Sequence, residues 1–574
     1  MEKIEREFPH YLYSTRREEL STIFTSEDFN DEEDLIAKTT EQFIKQDVLP
    51  YFSSIEQHDY NVVRKLFQKA GELGLLGIEV PDVYGGLSLD KKISGLVAEK
   101  MGFGGSFSVS FNIHVGVGTL PYVYFGSENQ KQKYLPKLAS GEWIGAYALT
   151  EPDAGSDALH PKTTAVLNKE GTMWLLNGAK QWITNAQVAD VYVVFANTSE
   201  GITAFIVERS FGGVSIGPEE EKMGIKGSST ATLVLDDVLV PNENVLGTVG
   251  KGHKVALNIL NLARLKLAFS NIGTSKQALQ LAVDYGKERK QFDRSIVDFT
   301  MIQEKLANMA TAIYGAESAA YRTTGELDDT INAVEESDRV ISKIADFAME
   351  CAINKVNCSE VLGEVVDEAV QIHGGYGYMQ EYEVERLYRD ARISRIFEGT
   401  NEINRLTIAK ELVKKYAQVK LGTPEIYNEV DLERNHQFVY LANYLLRQSL
   451  KAVSNMKSII AEEQEYLHLL ANIVKEVYIM ESSLLRTEKL ISNEKHGEEQ
   501  KKIKQLMNEV LCEEGYRKVE EATVSIFSSI ETVDSERKRR LDEIRHLSIP
   551  LYHNLFLKKR EIAQIIINRR QYLK

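Results

Sequence analysis

The spacing of apolar positions changes character several times along the chain. From about residue 31 to 145 it follows helical spacing, with apolar clusters at Ala70, Leu73, Leu75 and Leu76. Gln130 to Leu138 predicts a charged helix ending near Gly141, and Asp82-Val83-Tyr84-Gly85-Gly86 predicts a turn-rich loop. From about 146 to 248, short β-branched and aromatic runs take over: Met173–Leu176, Asp190–Ala196, Ile202–Val207 and Ala231–Val240. Turn signals such as Asn177-Gly178 and Phe211-Gly212-Gly213 separate them, so this stretch predicts a compact antiparallel β domain. Helical spacing returns near Gly252 and runs to about 416. Gly422-Thr423-Pro424 suits a linker, and a further helical block fills about 430–574. The fold class is therefore α+β, mainly α. Its parts are an N-terminal helical domain over 31–145, a middle β domain over 146–248, a helical bundle over 249–416 and a C-terminal helical domain over 430–574.

One stretch departs from this alternation. Met101 to Ser127 has no Asp, Glu, Lys or Arg, and it exceeds the roughly 20 apolar residues a membrane helix needs. Glycines, serines, Asn112, His114 and Pro121 interrupt it. It reads instead as a buried segment lining an apolar cavity.

Composition narrows the function. The 574 residues suit three or four domains at roughly 150 residues each. With 43% hydrophobic and 26% charged residues, disorder is excluded. A net charge of −16 argues against general nucleic-acid binding, which needs a basic footprint. That charge is uneven: the first 430 residues carry −18 and the remainder +2, and the last 38 residues hold 11 basic against 3 acidic side chains. Cys351, Cys358 and Cys512 form no metal spacing or disulfide framework. Cys351 and Cys358, seven apart, should share one buried helix face. A reduced setting and an N-terminus without an apolar signal core give a cytoplasmic expectation.

The common cofactor signatures are absent from the sequence: it has no GxGxxG after a strand, no GxxxxGK[ST] and no GxSxG. Four other stretches carry candidate chemistry. Tyr147-Ala148-Leu149-Thr150-Glu151-Pro152-Asp153-Ala154-Gly155-Ser156 reads as a strand end and a loop whose hydroxyls and amides could meet a polar ring edge. Gln181-Trp182-Ile183-Thr184-Asn185 follows, pairing a large aromatic with a hydroxyl. Both also suit ordinary turns and a core tryptophan. Gln371-Ile372-His373-Gly374-Gly375-Tyr376-Gly377 permits close backbone approach or a helix C-cap. In Phe397-Glu398-Gly399-Thr400-Asn401-Glu402-Ile403, Thr400 is an apt N-cap with Glu402 in the first turn. Glu398, just outside that helix, is a catalytic or a solvated loop carboxylate.

Together with Lys133–Glu142, Phe205–Arg209, Lys222–Lys226 and Arg289-Lys290-Gln291-Phe292, these motifs resemble the acyl-CoA dehydrogenase family. The likeness covers about residues 35–415 and is nearest to the very-long-chain, extended type. It implies FAD as cofactor, lying between the β domain and the helical bundle. Tyr147, Leu149, Thr150, Gly155, Ser156, Trp182, Ile183 and Thr184 would surround the flavin ring. Arg289, Phe292, Gln371, Gly374 and Gly375 would meet its pyrophosphate or adenine half in the partner subunit of a homodimer. Thr400 and Glu402 would lie at the flavin phosphates, where a helix N-terminus favours anions.

The resemblance also makes Glu398 the base that removes the α-proton of a fatty acyl-CoA, yielding a trans-2-enoyl-CoA in β-oxidation. Electrons would pass to electron-transfer flavoprotein. Ser156, Arg264, Phe397 and Gly399 would contact the substrate, although Arg264 alone also reads as a surface helix arginine. Some relatives carry the base on the Arg264 helix; Leu260-Asn261-Leu262-Ala263 offers no carboxylate there. Small residues at Gly116-Val117-Gly118 match an open cavity floor for long chains, while Pro121 departs from that pattern. Two other readings are a non-catalytic scaffold and an acyl-CoA oxidase. The amphipathic basic segment from Pro550 suits either a peripheral membrane contact or a terminal helix packed on its own domain.

Overall fold

The computed structural model describes residues 23–334, 337–417, 433–456, 462–546, 554–570 and 572. The linker expected at Gly422-Thr423-Pro424 lies outside them. The N-terminal block is helical, and its caps follow the sequence closely. Asn30 and Ser127 form capping boxes for Asp31–Phe43 and Glu128–Ser140, and Gly141 ends the latter in the left-handed region at φ 74°. The uncharged stretch becomes the helices Ser106–Val115 and Leu120–Phe125, largely buried.

The middle block is a sheet of eight strands: β1 Gly145–Ala148, β2 Thr164–Leu167, β3 Met173–Thr184, β4 Val191–Thr198, β5 Gly201–Glu208, β6 Val214–Glu219, β7 Thr230–Pro241 and β8 Val245–Leu246. Their order is β6-β7-β3-β2-β4-β5-β8, with β1 also paired to β4. Both faces are covered around β4. Val191, Val193 and Phe195 pack towards the helices, and Tyr192, Val194 and Ala196 towards the other core. That is why this strand reads as a continuous apolar run.

Two features differ from the sequence reading. The sheet is mainly antiparallel, but β1–β4 and β2–β4 pair in parallel. Asn177-Gly178 is no turn; it lies inside β3, where the register against β7 shifts and Gly178 takes φ 154°. A Cβ at Gly178 would stand 2.4 Å from Thr163 Oγ1, so close approach of the neighbouring chain requires glycine.

His114 ties the first two blocks together. Its Nδ1 accepts from the Gly145 amide at 3.0 Å and its Nε2 meets the Leu138 carbonyl at 3.0 Å. Burial pulls its pKa down to about 4, so the ring is neutral and can hold both bonds.

The third block packs Gly252–Glu288, Thr300–Asn332 and Ala348–His373 side by side, with Cys351 and Cys358 both buried. The last block, Arg434–Ser454, Gln464–Ser492, Glu498–Ile530, Asp534–His546 and Leu555–Arg569, is docked on it. Ala319, Met349 and Ala352 share one apolar cluster with Phe438, Leu470 and Tyr516. Arg486 bridges the blocks, at 2.6 Å from Glu27 and 2.7 Å from Glu317. In the terminal helix, Ile562, Ala563, Ile566 and Ile567 are buried, Lys558 and Lys559 pair with Glu509 and Glu514, and Phe556 and Leu557 stay exposed. Among the described residues no helix is long and apolar enough to cross a membrane.

Candidate active site

Phe397 to Thr400 connects the turn Arg392–Arg395 to the helix Asn401–Ala417. Glu398 and Gly399 both occupy the left-handed region, at φ 56° and 84°. For a non-glycine this costs on the order of 1 kcal/mol, so surrounding contacts must hold it. Arg264 Nε donates to the Glu398 carbonyl at 3.1 Å. Asn404 Nδ2 donates to the Gly399 and Thr400 carbonyls at 2.7 and 3.0 Å. Lys355 Nζ donates to the Gly399 carbonyl at 2.8 Å and to Asn401 Oδ1 at 2.7 Å. Thr400 caps the helix as its sequence predicts, accepting from the Ile403 amide at 3.3 Å, with Glu402 exposed in the first turn. The backbone is thus pinned by three side chains, and the Glu398 side chain lines a cavity.

That cavity has about 40 Å³ of open space between Val109, Ile113, Val117, Ala263, Leu267 and Phe397, with Asn112 and Lys266 at its wall. Burial pushes the Glu398 carboxyl above its ordinary range, outweighing the pull of Arg264 and Lys355 in the other direction. Burial also brings Lys355 down to about 7, against the opposing pull of Glu398. Arg264 is 6% exposed, so it is no surface residue; its guanidinium is engaged by the Glu398 carbonyl and by Asn261 Oδ1 at 3.0 Å.

Tyr147 reaches the same region from β1. Its hydroxyl is buried without a hydrogen-bond partner, and burial and the nearby Glu398 charge both raise its pKa. Beside it, the Thr150 carbonyl accepts from the Gln181 amide at 2.9 Å, which joins the 147–156 segment to the end of β3. Trp182 sits there in an irregular pairing, at φ 58° and 58% exposed, while Leu149 and Ile183 are buried and Thr184 is half-buried. The loop is anchored from below by Glu151, which takes the Lys180 ammonium at 2.6 Å. Gly155 and Ser156 lie exposed, with open space around Gly155.

The remaining candidates form a separate cluster. Arg289, Gly374 and Gly375 line an open cavity of about 490 Å³ with Tyr285, His373 and Tyr376. The Ala348–His373 helix ends there, with Gly374 at φ 60°, and Cβ atoms at Gly374 or Gly375 would meet nothing within 4 Å. Gln371 is exposed nearby, and Phe292, 87% exposed, projects from the small Lys290–Gln291 hairpin. Lys355, Asn404, Lys180 and Lys266 escaped sequence reasoning. Each is a lone polar residue inside a strand or helix with no local motif.

Family models for the acyl-CoA dehydrogenase N-terminal, middle and C-terminal domains match residues 30–142, 146–238 and 250–413. A second model described as an acyl-CoA dehydrogenase C-terminal domain matches 445–545. The chain belongs to the acyl-CoA dehydrogenase family. A "Probable acyl-CoA dehydrogenase" of Bacillus subtilis (strain 168) is 48% identical over 572 residues, covering 96% of both chains. The mitochondrial very long-chain specific acyl-CoA dehydrogenase of Homo sapiens is 42% identical over 387 residues, 64% of this chain and 57% of its own. A crystal structure of acyl-CoA dehydrogenase complexed with FAD from Bacillus anthracis superposes with a TM-score of 0.92 at 47% identity, covering 97% of this chain and 98% of that one. The fold, with its extra C-terminal helical block, is therefore that of this family, and the chain is an oxidoreductase acting on CH–CH groups.

Proposed function

We propose that the protein is an FAD-dependent enzyme that desaturates fatty acyl-CoA between the α and β carbons, with Glu398 as the base. The observation that carries this is the placement of Glu398: a carboxylate with raised pKa, on a loop held by Arg264, Lys355 and Asn404, facing an apolar cavity beside Tyr147. A scaffold has no use for such a group.

The residues fit the cofactor. The unpartnered Tyr147 hydroxyl, the Thr150 and Trp182–Thr184 backbone and the open loop at Gly155-Ser156 would hold the flavin ring, and Thr400 at its helix N-terminus the phosphates. The wide cavity at Arg289, Gly374 and Gly375 would take the adenine half across a homodimer interface, with Phe292 and Gln371 beside it. When bound, FAD supplies the two-electron oxidant that accepts the β-hydride. The protein's own contribution is proton chemistry and orientation. Glu398 takes the α-proton, and its low-polarity surroundings strengthen it as a base. Arg264 is bonded to the Glu398 carbonyl and to Asn261, contacts that favour a role in positioning the base. Phe397, which lines the cavity, would contact the thioester end of the substrate together with Gly399 and Ser156. Electron-transfer flavoprotein is the proposed acceptor.

An assay of enoyl-CoA formation with an electron-transfer flavoprotein or artificial acceptor tests the role of Glu398. Glu398→Gln should lower kcat by about a hundredfold to ten-thousandfold, the usual contribution of a positioned base, with flavin still bound. A variant within threefold of wild type would remove Glu398 from the mechanism.

A further inference from the structure

The cavity beside Glu398 shares Val109, Leu267, Ser270 and Phe397 with one small neighbouring cavity. Asn112 and Lys266 form part of the Glu398 cavity's wall, and the same two residues wall a second, small void lined by Leu75, Leu76, Phe111 and Leu120 together with Glu79 and Ser94. Lys266 is 7% exposed, and its ammonium is bonded to Glu79 and Ser94. Its stem passes Gly116: a Cβ there would stand 2.7 Å from the Asn112 carbonyl oxygen and 3.5 Å from Lys266 Cδ. Glu79 also binds Lys91, which in turn donates to the Tyr124 hydroxyl at 2.6 Å. Burial alone would raise the Glu79 carboxyl, but the Lys266 and Lys91 ammoniums outweigh it and bring it down to about 2, so the cluster is charged. Asn112 contributes an amide whose Oδ1 is buried without a partner.

For a hydrocarbon end, this wall is a poor neighbour. Passing it would require separating a buried ammonium from its carboxylate, and resting on it would leave the amide oxygen unpaired. The second void, about 10 Å³ and lined by Glu79 and Ser94 as well as by apolar side chains, takes no further carbons unless the wall moves.

We propose that Asn112 and Lys266 form a polar partition that ends the acyl channel and sets the upper length of the acyl chain accepted. This rests on the acyl-CoA reading above. It bears on a tension between the very-long-chain relatives and the small cavity: further carbons need the space that Asn112 and Lys266 now fill.

The test is kcat/KM over a ladder of saturated acyl-CoAs from butyryl to stearoyl, for wild type, Lys266→Ala and Asn112→Ala holoenzymes. Lys266→Ala leaves Glu79 on Lys91 and Ser94, so no carboxylate loses all its partners. The longest well-used substrate should lengthen, with a gain of about tenfold for each two-carbon unit newly accommodated. Asn112→Ala should lengthen it in the same direction and decides the matter if Lys266→Ala fails to retain flavin. Identical ladders for wild type and every flavin-bound variant would overturn the partition. Wild type that holds flavin but oxidises no acyl-CoA of any length would instead overturn the acyl-CoA reading, and the partition with it.

Discussion

At the scale of single residues, Glu398 is held by contacts to backbone, leaving its carboxylate for the cavity. Arg264 and Lys355 both bond carbonyls of its loop while their charges pull its pKa down, so each acts twice. Lys355 gives the sharper test. Glu398 has a folded pKa above its ordinary value, so activity should fall as pH drops through that raised value, not through the usual range near about 4.3. Below about 7 Lys355 is charged and favours the carboxylate. Lys355→Met removes that favour, so the acid limb of the kcat/KM profile should move to higher pH. An unmoved limb in a flavin-bound variant would show that Lys355 is only structural. The local pattern made Thr400 legible as an N-cap, while it left Glu398 as a catalytic or a solvated loop carboxylate that only the family resemblance singled out. Lys355 was not legible, since it meets a loop 44 positions away in the chain, and Asn404 was not, since an asparagine inside a helix carries no sign that it turns back to the carbonyls four and five positions before it.

At the scale of elements, the strands around Tyr147 and Trp182 show where local pattern stops. The β-branched runs marked β4, β5 and β7 well. The glycine of Asn177-Gly178 suggested a turn, yet the strand continues through it, because Thr163 packs against the missing side chain. The parallel pairing of β1 was likewise invisible, being set by contacts from His114 and Asn185 to the segment at Gly145. Beneath the 147–156 loop lies the Glu151–Lys180 pair, with side chains only 3% and 0% exposed. Breaking a buried pair leaves an uncompensated charge and costs about 3–5 kcal/mol. Lys180→Ala should therefore lower the thermal midpoint markedly and release flavin on gel filtration, whereas Lys180→Ala with Glu151→Ala should recover part of both. Equal loss in single and double variants would contradict this account of the loop.

At the scale of the whole molecule, four blocks could be read from periodicity, but not how the last one attaches. Arg486 meets Glu27 and Glu317, residues more than 150 positions away in the chain, and no spacing rule reaches that far. The same docking takes in the helix of the basic tail. Among its described residues Ile562, Ile566 and Ile567 are buried and Lys558 and Lys559 paired, with Phe556 and Leu557 exposed. In a liposome flotation assay with anionic vesicles, the full chain should stay with the protein fraction. Flotation that disappears on changing Phe556 and Leu557 to Ser would show instead that the tail binds the surface.

The central claim is that acyl thioester oxidation depends on Glu398, and the most direct measurement is anaerobic titration of the purified flavin-bound protein with octanoyl- and palmitoyl-CoA, following flavin absorbance beside Glu398→Gln. The account predicts bleaching of the wild-type flavin by at least one of them and none in Glu398→Gln on the same timescale. Bleaching of equal rate and extent in both proteins, or bound flavin that no acyl-CoA reduces, would contradict it.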